Sequence, residues 1–424
     1  MTTRRLVPGP VSGRLPAPPS KSYTHRAVVA AHLSRRAATI ERPLRSSDTL
    51  ATVRAVRQLG SRVTVEPERW TVRPGTLTRA RPPTIDCGES GTTLRFASAL
   101  AALCPWTTRF EGQGRLPERP MRVLVRALRS LGARVGTPAP PRGLPMTVAG
   151  PIHGGEVRVD ASESSQFVSA LLLALPTVRP GSTLWMTRDP VSAPYIEATL
   201  EVLRAQGIRF TRRGPRFDLP GGQSFSGERF RVPGDASSAA YLWAAAAISG
   251  GSVTVSGVPR AWPQADLEIL PLLERYGATV RRGARATSVH AGRRRPFRVS
   301  LTDCPDLYPL AGVLAAAAPG RSRLEGAPQV AAKESDRRQE TIRLAEGMGA
   351  RVTRSNQGLL IDGTATPRPL AVRDALDHRV VMSAAVGALA ASGPSSISDA
   401  RSVAKSFPEF WTMLAAIAGE DRVR

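Results

Sequence analysis

Leu131-Gly132-Ala133-Arg134-Val135 decides the fold of this chain: a helical stretch stops at a glycine and the chain restarts as a strand. The same join recurs at Leu59-Gly60-Ser61-Arg62-Val63, Gln206-Gly207-Ile208-Arg209-Phe210, Tyr276-Gly277-Ala278-Thr279-Val280 and Met348-Gly349-Ala350-Arg351-Val352. A weaker copy lies at Ala418-Gly419. Glycine suits the left-handed position just past a helix end. The six glycines are spaced by 72, 75, 70, 72 and 70 residues.

A second marker keeps the same step. A polar turn runs into an Ala/Leu/Val-rich helix at Ser20-Lys21-Ser22, Gly88-Glu89-Ser90-Gly91-Thr92-Thr93 and Ser162-Glu163-Ser164-Ser165-Gln166. It returns at Gly234-Asp235-Ala236-Ser237-Ser238, Asp303-Cys304-Pro305-Asp306 and Asp377-His378-Arg379. Two markers in register predict six copies of one α/β unit. The helices after the turns are apolar on every side, as in Leu171-Leu172-Leu173 and Ala244-Ala245-Ala246-Ala247. Helices of that kind are buried. The pattern predicts helices inside and sheets outside, in two lobes of three units: residues 16–230, and residues 231–424 with residues 1–15 pairing onto the second lobe. The hinge is expected at Arg229-Phe230-Arg231-Val232-Pro233.

A length of 424 residues agrees with two domains. Of 59 basic side chains only Lys21, Lys333 and Lys405 are lysine. Where arginine has taken over general surface charge, a retained lysine marks a place for a compact, rotatable ammonium. Three cysteines build no disulfide framework, and no Cys/His spacing suggests a metal, so no metal and no cofactor are expected. No apolar run is long enough to span a membrane, and a cytoplasmic setting is expected. The net charge of +25 fits either a nucleic-acid surface or arginine enrichment with a site for anions. Charge spread along the chain and only 5% aromatic residues disfavour nucleic acid as the principal partner.

Polar turns at the starts of buried helices present unpaired N–H groups and the positive end of the helix dipole, which attract anions. If the two lobes aim these ends at a shared cleft, Lys21, Arg26, Arg95, Arg119, Arg337, Arg379 and Lys405 make it suited to multiply charged small molecules.

Eight motifs in order then carry a family resemblance. They are Ser20-Lys21-Ser22 with Arg26, Ser90-Gly91-Thr92-Thr93-Leu94-Arg95, Glu118-Arg119-Pro120 and Ser164-Ser165-Gln166-Phe167. The others are Ser192-Ala193-Pro194-Tyr195-Ile196, Lys333-Glu334-Ser335-Asp336-Arg337, Asp377-His378-Arg379 and Lys405-Ser406-Phe407-Pro408. Over nearly its whole length the chain resembles the enolpyruvyl transferase family, in the branch acting on shikimate 3-phosphate. The resemblance implies a two-lobed inside-out α/β barrel of six βαβαββ repeats. It implies transfer of the carboxyvinyl group of phosphoenolpyruvate to the 5-hydroxyl of shikimate 3-phosphate, through a tetrahedral intermediate, with release of phosphate. It also suggests a monomer.

Carried across by motif, Asp306 is the implied base, and Glu334 and Lys21 compete for the role of proton donor. The shikimate 3-phosphate site is implied at Lys21, Ser22, Arg26, Ser164, Ser165, Gln166, Ser192, Tyr195, Asp306, Gln329 and Lys333. The phosphoenolpyruvate site is implied at Lys21, Gly91, Thr92, Arg119, Gln166, Arg337, Arg379 and Lys405. Four residues depart from the family pattern: Glu89 and Gln329 stand where asparagine is usual, Pro19 where glycine is frequent, and Phe96 where a smaller side chain is common. Three other readings stay open: a paralogue acting on a related cyclic phosphate, a transferase acting on a UDP-sugar, and a basic nucleic-acid-binding module.

Overall fold

Gly60, Gly132, Gly207, Gly277, Gly349 and Gly419 all have φ between +74° and +108°, the left-handed conformation that the periodic joins require. The first five follow the helices Ser47–Gln58, Arg122–Ser130, Pro194–Ala205, Ile269–Tyr276 and Arg337–Gly347, and each leads into a strand. Gly419 follows Phe410–Ala418 but leads into a 3-10 turn, Glu420–Arg422. These positions come from a computed structural model that describes residues 3–75, 83–139, 142–373, 377–398 and 400–424.

The polar turns start a second set of helices. Gly91–Ala101 buries every residue except Thr92, and Ser165–Ala174 every residue except Gln166. Tyr308–Ala316 and His378–Ala388 bury all of theirs. A helix buried all round gains on every face, with each fully buried Leu or Phe contributing about 1.5–3 kcal/mol. Around these helices the strands bury alternate residues, as in Arg69–Arg73 and Ser252–Ser256. Strands with one apolar face cover a core and turn the other face to water. Helices inside and sheets outside follow from the two periodicities.

The chain divides into two compact units. One is Pro19–Pro233; the other joins Met1–Pro18 to Gly234–Arg424. Five four-stranded sheets repeat one topology. In the sheet Thr84–Asp86, Thr108–Glu111, Met146–Ala149, Arg134–Gly136, the first pair is parallel and the later pairs are antiparallel. Two sheets take their parallel edge strand from a distant part of the chain. Arg229–Arg231 pairs with Ala38–Glu41, and Ser12–Pro16 pairs with Ser252–Ser256. A three-stranded sheet sets Arg4–Leu6 antiparallel to Ser395–Ile397.

Read from the apolar runs, the helices after the polar turns are expected from Arg26, Leu94, Phe167, Ala239, Leu307 and Val380. Five begin earlier, inside the turn, at Lys21, Gly91, Ser165, Ala236 and His378, and one begins a residue later, at Tyr308. The pattern places a helix from Arg26, but it begins at Lys21, because Ser20 in extended conformation caps it. That puts Lys21 on the first residue of the helix and Arg26 one and a half turns along. The helix expected from Leu307 begins at Tyr308, after a 3-10 turn, Pro305–Leu307, that holds Asp306.

Candidate active site

In the unit Pro19–Pro233, three helix starts are tied together by hydroxyl groups. His25 Nδ1 lies 2.7 Å from Thr52 Oγ1, which lies 2.7 Å from Thr93 Oγ1, and Thr93 donates to Ser90 Oγ at 2.8 Å. His25 is buried, and burial, followed by the charges of Lys21 and Arg26, holds its pKa well below the usual range. The imidazole is therefore neutral at pH 7. Lys21 Nζ donates to Asp48 Oδ2 at 3.1 Å, which holds the ammonium at the helix start.

Gly91 is small because Arg119 lies on it. A Cβ there would come within 2.7 Å of Arg119 Nη1 and 2.8 Å of Cζ. Gln166 is oriented at both ends of its amide: Nε2 donates to Thr92 Oγ1 at 3.0 Å, and Oε1 accepts from Arg95 Nη1 at 2.5 Å. Arg95 also donates to Pro120 O at 3.2 Å, fixing the segment that carries Arg119. Ser164 caps its helix by accepting from Gln166 N. Ser192 is buried at φ +58°, a conformation that costs a non-glycine residue about 1–3 kcal/mol. Such strain persists where the surroundings demand it, here at the entry to the helix Pro194–Ala205.

Arg26 is 2% exposed, and its guanidinium binds the protein itself. It donates to Thr199 Oγ1 at 2.8 Å, Tyr195 O at 2.8 Å and Ser22 O at 2.9 Å. Burial lowers its pKa to about 10, so it stays cationic at neutral pH. Its Cζ stands 5.4 Å from the centre of the Phe96 ring, giving that unusual phenyl a cation to face.

The second unit gathers charge more densely. Arg337 is 1% exposed and meets three carboxylates. Its Nε donates to Asp377 Oδ2 at 2.8 Å, Nη1 to Asp306 Oδ1 at 2.7 Å and Nη2 to Glu334 Oε2 at 2.9 Å. These charges outweigh burial and keep its pKa well above the ordinary arginine value. Asp306 uses its other oxygen to accept from Arg379 Nη2 at 2.9 Å. Asp377 caps the helix His378–Ala388 by accepting from Arg379 N at 2.9 Å, and takes a further bond from Ser335. Arg379 is 2% exposed, and its Nε and Nη1 have no hydrogen-bond partner among the described residues. Nε and Nη1 lie on different edges of the guanidinium, so each can offer a single N–H to an anion.

The structure thus brings Asp306, Glu334, Arg337 and Arg379 into one hydrogen-bonded cluster, and in the other unit it joins Gln166 to Thr92 and sets Arg119 against Gly91. Gln329 Nε2 donates to Thr302 O at 2.9 Å, while Lys333 and Lys405 are half-buried on 3-10 segments or their ends. Glu89 packs against the turn at Gly114, where an added Cβ would lie 2.9 Å from its carboxyl carbon. Sequence reasoning missed Asp48, the partner of Lys21, and the site role of Asp377 as cap and counter-ion. Asp377 carried a readable signal: an aspartate just before an apolar helix is a cap. Asp48 sits inside a helix start with no such mark.

Two buried sets of cations and hydroxyls at helix starts, on an inside-out α/β repeat, define an enzyme for small, multiply anionic substrates. The model of the EPSP synthase family (3-phosphoshikimate 1-carboxyvinyltransferase) matches residues 7–414. A 3-phosphoshikimate 1-carboxyvinyltransferase from Thermococcus kodakarensis is 43% identical over 95% of this chain and 96% of its own. One from Halobacterium salinarum is 39% identical over 98% of each chain. The solved EPSP synthase from Acinetobacter baumannii superposes with a TM-score of 0.79 at 27% identity, covering 98% of both chains. The enolpyruvyl transferase NikO from Streptomyces tendae shares the fold, with a TM-score of 0.80 at 18% identity over 98% of this chain and 97% of its own. The chain belongs to the EPSP synthase family.

Proposed function

We infer that the protein transfers the carboxyvinyl group of phosphoenolpyruvate to the 5-hydroxyl of shikimate 3-phosphate and releases phosphate, a step of the shikimate pathway toward aromatic amino acids. The observation that carries this is the near full-length identity with proteins named for that reaction. The UDP-sugar, paralogue and nucleic-acid readings have no comparable support.

The reaction needs a base at the hydroxyl, an acid at the methylene carbon, and cations for the phosphates and carboxylates. Asp306 is assigned as the base that takes the 5-hydroxyl proton as that oxygen bonds to the central carbon of phosphoenolpyruvate. Glu334 delivers a proton to the methylene, with Lys21 as the alternative donor. The tetrahedral adduct then loses phosphate, and a proton leaves the new methyl group to restore the double bond. Arg379 is assigned as the main ligand of the phosphoenolpyruvate carboxylate, because it has donors to spare. Arg337 assists by exchanging one of its protein carboxylates for the substrate's. Lys21, Arg119 and Lys405, with Gly91 and Thr92, are assigned to the phosphate of the same substrate. Ser164, Ser165 and Ser192 are assigned to the phosphate of shikimate 3-phosphate, with Ser22, Tyr195, Gln166, Gln329 and Lys333 around its ring. Arg26 supports that set from behind through Tyr195 and Ser22.

Among the described residues no helix is long and apolar enough to cross a membrane. We take the enzyme to work as a cytoplasmic monomer. The test of function is phosphate release from phosphoenolpyruvate with and without shikimate 3-phosphate. Release that requires both, with the enolpyruvyl ether detected by mass, supports the reading. Binding of shikimate 3-phosphate without any release would redirect it to a different second substrate, and Glu89 would be the first residue to replace.

A further inference from the structure

The first turns of the helices Lys21–His32, Ser47–Gln58 and Gly91–Ala101 carry Lys21, the Asp48 that holds its ammonium, and the Gly91-Thr92 pair. One turn further in, each helix has a buried polar side chain. His25 lies four residues past Lys21, Thr52 four past Asp48, and Thr93 three past the cap Ser90. Residues three or four apart share a helix face, so these three stand directly behind the groups at the starts. They meet there: His25 Nδ1 is 2.7 Å from Thr52 Oγ1, and Thr52 Oγ1 is 2.7 Å from Thr93 Oγ1. Thr93 belongs to the motif Ser90-Gly91-Thr92-Thr93-Leu94-Arg95, yet no substrate group is assigned to it.

Counting hydrogens gives the chain a direction. A threonine hydroxyl has one hydrogen to donate. Thr93 gives it to Ser90 Oγ at 2.8 Å, with Asp48 O a more distant acceptor at 3.3 Å. Thr52 must therefore donate to Thr93, and it accepts in turn from the Nδ1–H of His25. That order leaves His25 Nε2, which has no hydrogen-bond partner among the described residues, as a bare lone pair. The other neutral tautomer would bury an N–H with no acceptor, which folded proteins rarely tolerate.

We propose that Thr52 and Thr93 are positioning residues for phosphoenolpyruvate binding: a one-way chain from His25 Nδ1–H through Thr52 and Thr93 to Ser90 fixes the start of the helix Gly91–Ala101 against Asp48 and Lys21. Apolar contacts let helices slide and turn past one another, whereas hydrogen bonds of this length hold both distance and direction. The chain thereby sets the spacing between the Lys21 ammonium and Gly91, on which Arg119 rests. Neither threonine touches the reacting atoms; both act through the groups one turn ahead of them.

This rests on assigning Lys21, Gly91, Thr92 and Arg119 to the phosphate of phosphoenolpyruvate. The experiment measures KM for phosphoenolpyruvate, and by calorimetry the Kd of shikimate 3-phosphate, in the wild type, Thr93→Val and Thr93→Ser. Thr93→Val keeps the shape and breaks the chain, so KM for phosphoenolpyruvate is expected to rise about tenfold while the Kd of shikimate 3-phosphate stays within about twofold. Thr93→Ser keeps the hydroxyl and is expected to hold KM within about twofold of the wild type. An unchanged KM in Thr93→Val overturns the proposal, and so does a Thr93→Ser variant as impaired as Thr93→Val. A merely structural role would weaken both ligands alike, and that result overturns it too. Lys21→Ala separates the two layers. An unchanged KM there overturns the assignment beneath the proposal; a raised KM there beside an unchanged one in Thr93→Val overturns the proposal alone. Nitrogen-15 shifts of the His25 ring in the wild type are the independent check, needing no threonine variant to fold. Nδ1 is expected to carry a hydrogen at pH 7, and an Nδ1 without one overturns the proposal.

Discussion

Asp306 takes a hydrogen bond from each of two buried arginines, which fixes the plane of its carboxyl group. Asp306→Asn keeps the shape and removes the base, so kcat should fall roughly 10²–10⁴-fold while calorimetry still detects both substrates. Gly91 separates space from backbone. Its backbone is helical, and the atoms a methyl group would meet are the far end of the Arg119 side chain. Gly91→Ala should therefore leave the melting temperature nearly unchanged and raise KM for phosphoenolpyruvate about tenfold, through displacement of Arg119. That tenfold corresponds to about 1.4 kcal/mol of lost binding. Ser192→Gly is the opposite case. It should stabilise the fold by about 1 kcal/mol by removing the cost of φ +58°, and weaken shikimate 3-phosphate binding by removing the hydroxyl. Thermal melts and calorimetry check both signs. At this scale the sequence marked Lys21, Ser22, Gly91, Thr92, Ser164, Ser165, Gln166, Asp306 and Arg379, because each sits in or beside a polar turn before an apolar helix. It could not show that Asp306 and Asp377 both reach Arg337, since those contacts join elements far apart in the chain.

The helix Lys21–His32 carries two histidines, His25 buried and His32 half-buried at the helix end. His32 Nδ1 lies 2.8 Å from Ser61 Oγ, and burial lowers its pKa to about 4; His25 is depressed well below 6.5 for the same first reason. A histidine with a depressed pKa in the fold supports stability fully above its unfolded value of 6.5. That support is lost as the pH falls from there through the folded value. The melting temperature should fall as pH drops from about 7 to 4, and His32→Gln should flatten the decline in that window. An unchanged slope in the variant would show that His32 takes no part in acid unfolding. The helices were readable because their apolar runs and closing glycines repeat. Their starts were harder: Ser20 caps from an extended backbone without a side-chain bond, and Pro305 draws the next turn into a 3-10 form.

At the scale of the molecule, the first residues belong with the last. Arg4–Leu6 pairs with Ser395–Ile397, Arg5 N donates to Arg424 O at 2.7 Å, and Leu6 and Val11 are fully buried. Removing residues 1–16 should lower the melting temperature of the unit holding Gly234–Arg424 by about 10 °C or more and leave Pro19–Pro233 protected. Hydrogen exchange reads the two units separately. The +25 charge is less decisive than it looked: many surface arginines pair with strand carboxylates, as in the two-pronged contact of Arg321 with Asp362 at 2.8 and 3.0 Å. Such exposed pairs are each worth about 0–1 kcal/mol. What the six repeats achieve is to present cations and hydroxyls at the starts of buried helices, and the account rests on those groups carrying out addition and then elimination. The most direct measurement is the reaction run in deuterium oxide with both substrates, followed by mass analysis of the enolpyruvyl product. A methyl group formed and then deprotonated must exchange with solvent, so the vinyl methylene is expected to carry deuterium. Product formed with no deuterium in that group would contradict the mechanism assigned to Asp306, Glu334 and Lys21.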